Sequence, residues 1–176
     1  MKRVAVVGSA SGSGKTTLAR TLAARMGGAF IEIDAHRHGP NWTTATAEEL
    51  HAKIAPLVAT DSWAIDGIAT KMLGGLVVDR VELVVWLDLP PWVWLPRLLG
   101  RSARRWLSRE ELWNGNRENL RGIFLDADGV LPHAFRAYFV RRAGLAAQLA
   151  PYRPLRLCSV REVEAFVAAF ASEERA

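Results

Sequence analysis

The chain has 176 residues, 50% hydrophobic and 23% charged, which suits one globular domain with a sizeable core and excludes wholesale disorder. No apolar run approaches the roughly 20 residues that cross a bilayer, and a single cysteine, Cys158, excludes an internal disulfide or a cysteine-built metal site. A cytoplasmic protein without membrane contact is expected, and its net charge of +5 points to an anionic ligand or partner.

Along the chain, Val4-Ala5-Val6-Val7 is too short for a signal-peptide core and runs straight into a glycine-rich loop, so 3–7 reads as a first strand. A helix is expected from Gly14 to about Met26, ended by Gly27-Gly28, then a second strand over 29–33. Thr46 and Glu49 form a capping box that opens a helix over about 47–59. Strands follow at 63–65 and 82–87. Pro91 suits the first position of the next helix, and Pro96 is expected to kink that helix or end its first turn. Beyond it the sequence predicts two or three short helices, one opened by Ser108 with Glu111. A fifth strand at 154–158 precedes a last amphipathic helix, capped by Ser159 with Glu162 and ending near Ala171. Five strands joined by helical crossovers predict a three-layer α/β sandwich with a parallel sheet, one domain over 1–176.

The first strand leads into Gly8-Ser9-Ala10-Ser11-Gly12-Ser13-Gly14-Lys15-Thr16-Thr17 and then a helix. That context turns a motif into a mechanism, because glycines let backbone N–H groups surround an anion and the helix N-terminus adds partial positive charge. Ser11 to Thr17 would cradle the phosphates of a nucleoside triphosphate, with Lys15 on the β- and γ-phosphates and Thr16 on Mg²⁺. ATP is the default, since no guanine signature is present. One departure stands out: the first glycine of the usual pattern would fall at position 9, which is Ser9.

Phosphoryl transfer also needs carboxylates, which a doubly wound sheet supplies at the C-terminal ends of its strands. Asp66, before Gly67, is the expected magnesium-side ligand; otherwise it caps a turn. Asp34 is a candidate base or acceptor anchor, and otherwise a turn former. Asp88, before Leu89-Pro90-Pro91, reads as a structural N-cap.

Ten arginines and five acids lie between Arg97 and Arg142, so this stretch alone accounts for the net charge. Arg97, Arg101, Arg105, Arg136, Arg141 and Arg142 are candidates for neutralising a transferring phosphate from a lid over about 97–142. A solvated helical face and a nucleic-acid surface, with Trp106 and Trp113 as stacking platforms, are the competing readings. His36 and His38, flanking Arg37 in an expected loop, form a weak metal pattern, and Asp126-Ala127-Asp128-Gly129 reads as a turn. The seven tryptophans are expected mostly in the core, with Trp42 as the exception beside a substrate cleft.

The phosphate loop, Ile65-Asp66-Gly67, and Trp86-Leu87-Asp88-Leu89-Pro90 followed by Leu98-Leu99-Gly100-Arg101 resemble the adenylate kinases and related small-molecule kinases. Gly39-Pro40-Asn41-Trp42-Thr43, Trp63-Ala64-Ile65-Asp66-Gly67 and Leu112-Trp113-Asn114-Gly115-Asn116-Arg117-Glu118 resemble the subset called topology modulation proteins. The resemblance implies strand order 2-3-1-4-5, an arginine-rich lid, and Arg101 stacked on the nucleotide base. Ile68-Ala69-Thr70 departs from the Phe-Pro-Arg that adenylate kinases place after Asp-Gly. The resulting expectation is a kinase moving the γ-phosphoryl group of Mg·ATP to a small-molecule acceptor, for example a nucleoside monophosphate. The alternative is a regulatory nucleotide-binding protein or slow ATPase that switches a DNA, RNA or protein contact.

Overall fold

The computed structural model describes residues 1–116 and 130–172, with the backbone path alone at 130–137 and 171–172. Five parallel strands, β1 (Arg3–Gly8), β2 (Ala29–Glu32), β3 (Trp63–Asp66), β4 (Leu83–Leu87) and β5 (Leu155–Leu157), form one sheet. Their order is β2-β3-β1-β4-β5, the one that the motif resemblance implies. The helices are α1 (Lys15–Arg25), α2 (Ile33–Arg37), α3 (Ala47–Val58), α4 (Thr70–Leu73), α5 (Pro91–Ser108), α6 (Val130–Leu149) and α7 (Val160–Ser172).

Alternation along the central strand makes the three layers, since successive side chains of a strand point to opposite faces. Val4 and Val6 pack with Leu18 and Leu22 of α1 and Phe170 of α7. Ala5 and Val7 pack with Leu50, Ile54 and Val58 of α3 and Leu149 of α6. Both faces of β1 are therefore dry, and the sheet's C-terminal edge is left to carry the chemistry.

Several local expectations hold. Thr46 accepts from the Glu49 backbone N–H while Glu49 accepts from that of Thr46. The Glu162 N–H donates to Ser159 Oγ, and the Glu162 carboxylate reaches back to Cys158 N rather than to Ser159. Others are corrected. Ile33 starts a short helix instead of ending β2, so His36 and Arg37 are helical.

Among the described residues, Arg97 to Arg105 and Arg136 to Arg142 lie on two long helices, of 18 and 20 residues, where short ones are expected. Pro96 does not interrupt α5: it is exposed, so the carbonyl freed by its missing N–H lies on the solvent side, while Trp94, Leu98 and Ser102 bury an i, i+4, i+8 stripe. Ser108 opens no helix; it ends α5, and Arg109 (φ 49°) turns the chain away. Only Trp63, Trp86 and Trp94 are in the core, whereas Trp42, Trp92 and Trp106 are exposed. Residues 117–129, which include Arg117, Arg121 and the Asp126–Gly129 turn, lie outside the described residues, as does the side chain of Arg136 within α6.

Candidate active site

The phosphate loop is shaped by three close approaches. A side chain on Gly8 would meet the Lys15 stem at 2.9 Å and Ser13 Oγ at 2.7 Å, so a glycine is needed there for the lysine to fold over the strand end. Gly12, at φ 82°, lies against the α5 backbone; a Cβ would fall 2.7 Å from the Trp94 carbonyl. Gly14, at φ 92°, is the N-cap of α1. Ala10 packs with Trp94 and Leu98 of α5 and Tyr138 of α6. The N-terminal half of α5 is thus part of the loop's foundation.

The Ser9 departure has a structural reason. Ser9 is buried, accepts a hydrogen bond from Trp86 Nε1 (3.0 Å) and donates one to Asp88 Oδ1 (3.0 Å). Asp88 is no N-cap: Pro90 holds that position without a side-chain bond. Its fully buried carboxylate also accepts from Arg142 Nε (2.9 and 3.0 Å) and from Arg156 Nε (2.9 Å) and Nη2. The Arg156 guanidinium lies over the Trp86 ring, 4.6 Å from its centroid. Burial works to raise the Asp88 pKa, but the bonds from Arg156, Arg142 and Ser9 outweigh it and hold the carboxyl below its ordinary value. Strand β4 therefore delivers a clamp.

Strand β3 delivers Asp66 to an open cleft of about 1100 Å³. The Thr16 hydroxyl donates to Asp66 Oδ2 at 2.5 Å, and Lys15 Nζ folds back to the Ala10 carbonyl at 3.2 Å. Burial lowers the Lys15 pKa against the pull of Asp66 and Asp34, while Arg101 and Arg141 lower it further. Burial also raises Asp66, opposed by Lys15 and the Thr16 hydrogen bond and reinforced by Asp34.

Ser11 to Thr17, Asp34, Asp66, Arg97, Arg101 and Arg105 all line this cleft. Arg142 does not: it is engaged with Asp88. Arg141 acts on Lys15 only through charge.

The sequence reading missed Glu32, Glu110, Arg104 and the joining of two turns. Glu32 ends β2 two residues before Asp34 and lines the same cleft. Burial raises its pKa, Trp113 lowers it by hydrogen bonding, and Asp66 raises it. The buried Asn116 ties the turn at Trp113–Gly115 to the one at Pro40–Trp42: its Oδ1 accepts from Trp42 N (2.8 Å) and its Nδ2 donates to the Gly39 carbonyl (2.9 Å). His38 packs edge-on to Trp42 and stacks on Trp113, at 5.6 and 5.9 Å between centroids. The matching Pro-Asn-Trp and Trp-Asn-Gly triplets were the available signal, since Asn and Gly favour the left-handed turns found there. Glu110, paired with Arg105 at 3.6 Å, gave no such signal.

The donors beside the loop are hard oxygens, Thr16 Oγ1 and Asp66 Oδ2, and among the described residues no cluster of three or more His, Cys, Asp or Glu could hold a metal. Such a pair fits Mg²⁺, which takes one or two protein oxygens and completes its shell with phosphates and water.

The family model "ATPase family associated with various cellular activities (AAA)" matches residues 5–62, the stretch that holds the phosphate loop. No curated protein matches the chain. Among solved structures, shikimate kinase from Bacteroides thetaiotaomicron is 17% identical, with 99% of each chain covered and a TM-score of 0.57. Shikimate kinase from Acinetobacter baumannii, in complex with shikimate, is 14% identical over 99% of this chain and 93% of that one, with a TM-score of 0.56. The chain has the P-loop NTPase fold, in the arrangement that these kinases share.

Proposed function

We propose that the protein is a kinase that transfers the γ-phosphoryl group of Mg·ATP to a hydroxyl of a small-molecule acceptor. The observation that carries this reading is the convergence of Lys15, the Thr16–Asp66 pair and Asp34 in one cleft. A hydrolase needs only water beside the phosphate, whereas this cleft, of about 1100 Å³, is also lined by Trp42 and Trp113.

The residues divide the work as follows. Backbone N–H groups of Ser11 to Thr17 hold the phosphates, and Lys15 leaves Ala10 to reach the β- and γ-oxygens. Thr16 and Asp66 would hold Mg²⁺, which would neutralise charge that develops on the phosphate oxygens. Asp34 takes the acceptor hydroxyl proton as the oxygen bonds to the γ-phosphorus and the bond to ADP breaks. Arg97, Arg101 and Arg105, projected from α5, stabilise the transferring group.

ADP release measured with and without acceptors tests the reading. A kinase releases ADP in proportion to acceptor phosphorylated; a regulatory switch or slow ATPase releases it at the same slow rate throughout. The second outcome would overturn the proposal.

A further inference from the structure

Phosphate binding needs the loop's N–H groups to point at one centre, yet Gly12 and Gly14 leave the chain free to point them elsewhere. Resting on the nucleotide site of the kinase reading, and on nothing about the acceptor, we propose that Ser9 is a positioning residue for that site. Its hydroxyl fastens the loop to the Asp88 clamp, so the N–H groups are arranged before the triphosphate arrives. Where the usual pattern has a glycine, this chain has an anchor.

Ser9 is 1% exposed and is held at both its backbone and its side chain. Its N–H donates to the Leu87 carbonyl at the end of β4 (3.3 Å), while its hydroxyl sits between Trp86 Nε1 and Asp88 Oδ1. Ser9 is not among the residues at positive φ, so the backbone makes no demand for glycine at this position. The bond from hydroxyl to carboxylate is charge-assisted, the stronger kind, and the carboxylate that accepts it is itself fixed. The Asp88 N–H donates to the Leu157 carbonyl of β5 (2.9 Å), and Arg142 of α6 and Arg156 of β5 hold its oxygens. One hydroxyl thus ties the loop to β4, β5 and α6.

The next residue is gripped from the same helix. Ala10 packs against Tyr138, four positions before Arg142, so the two share one face of α6. Helix α6 therefore meets the loop at two consecutive residues, by apolar contact at Ala10 and through Asp88 at Ser9. What these two residues position is the Ala10 carbonyl. It accepts from Ser13 Oγ (2.9 Å) and from Lys15 Nζ (3.2 Å), the first a member of the phosphate cradle and the second its cation. With the Ser9 hydroxyl removed, Ala10 keeps only its apolar contact, and the chain between Gly8 and Gly12 regains freedom that nucleotide binding must remove again. Ordering of that kind is subtracted from affinity. Ser9 does not line the cleft, so its effect on the nucleotide is indirect.

The test uses the full chain with Mg²⁺ and no acceptor. Calorimetric titrations with ADP and with a non-hydrolysable ATP analogue give the affinity and, from the stoichiometry, the folded fraction. The proteins are the parent, Ser9→Ala, Ser9→Gly, Arg142→Ala and the double variant Ser9→Ala with Arg142→Ala. Ser9→Ala should weaken both nucleotides about tenfold per folded molecule, the loss of one charge-assisted bond. Ser9→Gly should weaken them further, because it also frees the backbone. Arg142→Ala, which leaves Arg156 on Asp88, should weaken them about threefold. The double variant should bind no worse than Ser9→Ala, because the path from Arg142 to the loop is already cut; a double-mutant cycle separates such a shared route from two independent ones. Unchanged affinity in Ser9→Ala, or affinity restored in Ser9→Gly, would overturn the proposal. So would additive losses in the double variant, which would give Arg142 its own action on the phosphates. Arg142 is half-exposed, so Arg142→Ala keeps the test open if the Ser9 variants do not fold, and unchanged affinity there refutes the clamp's role. A parent that binds neither nucleotide would overturn this proposal and the kinase reading together. Tight nucleotide binding with no acceptor ever phosphorylated would sink the kinase reading alone and leave the role of Ser9 standing.

Discussion

Asp66 and Asp88 stand at the C-terminal ends of the two strands that flank β1, yet their surroundings give them opposite characters. Asp66 faces the cleft, with one neutral donor in Thr16 and a lysine whose own charge burial disfavours. Asp88 is sealed off, with two guanidiniums and a serine filling its lone pairs. One carboxylate is kept costly and available for a ligand; the other is satisfied within the protein. Position at a strand end says where a carboxylate can be functional, and its partners decide whether it is.

The largest expected effect lies on the Asp66 side. Lys15→Ala should lower turnover by a hundredfold or more, about 3 kcal/mol of transition-state stabilisation, with circular dichroism unchanged. Undiminished activity in a folded variant would remove the phosphate loop from the mechanism.

Asp88→Asn should behave in the opposite way. Losing charged hydrogen bonds costs about 2 kcal/mol, or roughly 4–8 °C in a thermal melt for a chain of this size, while turnover per folded molecule should change much less. A variant with unaltered melting and collapsed turnover would place Asp88 in the chemistry.

Within the cleft, Asp66→Asn should raise the Mg²⁺ concentration needed for half-maximal rate by about tenfold with little change in acceptor affinity. Asp34→Asn should depress the acceptor reaction more than nucleotide binding. Identical responses of both variants to magnesium and acceptor would erase this division.

The smallest effects are in stability against pH. The folded pKa of Asp66 lies above the ordinary 3.8, so its ionisation costs stability above that raised pKa, and the cost disappears below 3.8. Asp66→Asn should therefore be more stable than the parent at pH 7, with the advantage fading on acidification. The folded pKa of Asp88 lies below 3.8; its contribution is complete above 3.8 and is lost as pH falls through the depressed value. Denaturant midpoints of both variants across pH 2–8 would check the two signs, and parallel curves would refute the contrast.

Much of the fold was readable because it is local. The capping box at Thr46, the alternation of buried strands and crossover helices, and the glycine-rich loop each act within a few residues. Tertiary packing overrode what was misread. Trp94 and Leu98 anchor α5 to the phosphate loop, so a proline and a glycine that ought to break the helix do not. The partners of Asp88 are 54 and 68 residues away, beyond any spacing rule. Asp34 and Asp66 could be nominated from strand ends alone. Glu32 could not, since an acid inside a strand usually reads as a solvated edge position.

Strand β5 bears on self-association. It closes one side of the sheet with only three residues, Leu155 and Arg156 among them exposed, and its approach carries Arg153 and Pro154. An open strand edge is a template for pairing with another molecule, and brevity, proline and charge are the usual deterrents. Arg156 supplies that charge while its guanidinium reaches inward to Asp88 and Trp86. The residue that helps fix the phosphate loop thus also guards this edge, and its loss would expose the protein to sheet-to-sheet aggregation as well as loosen its interior.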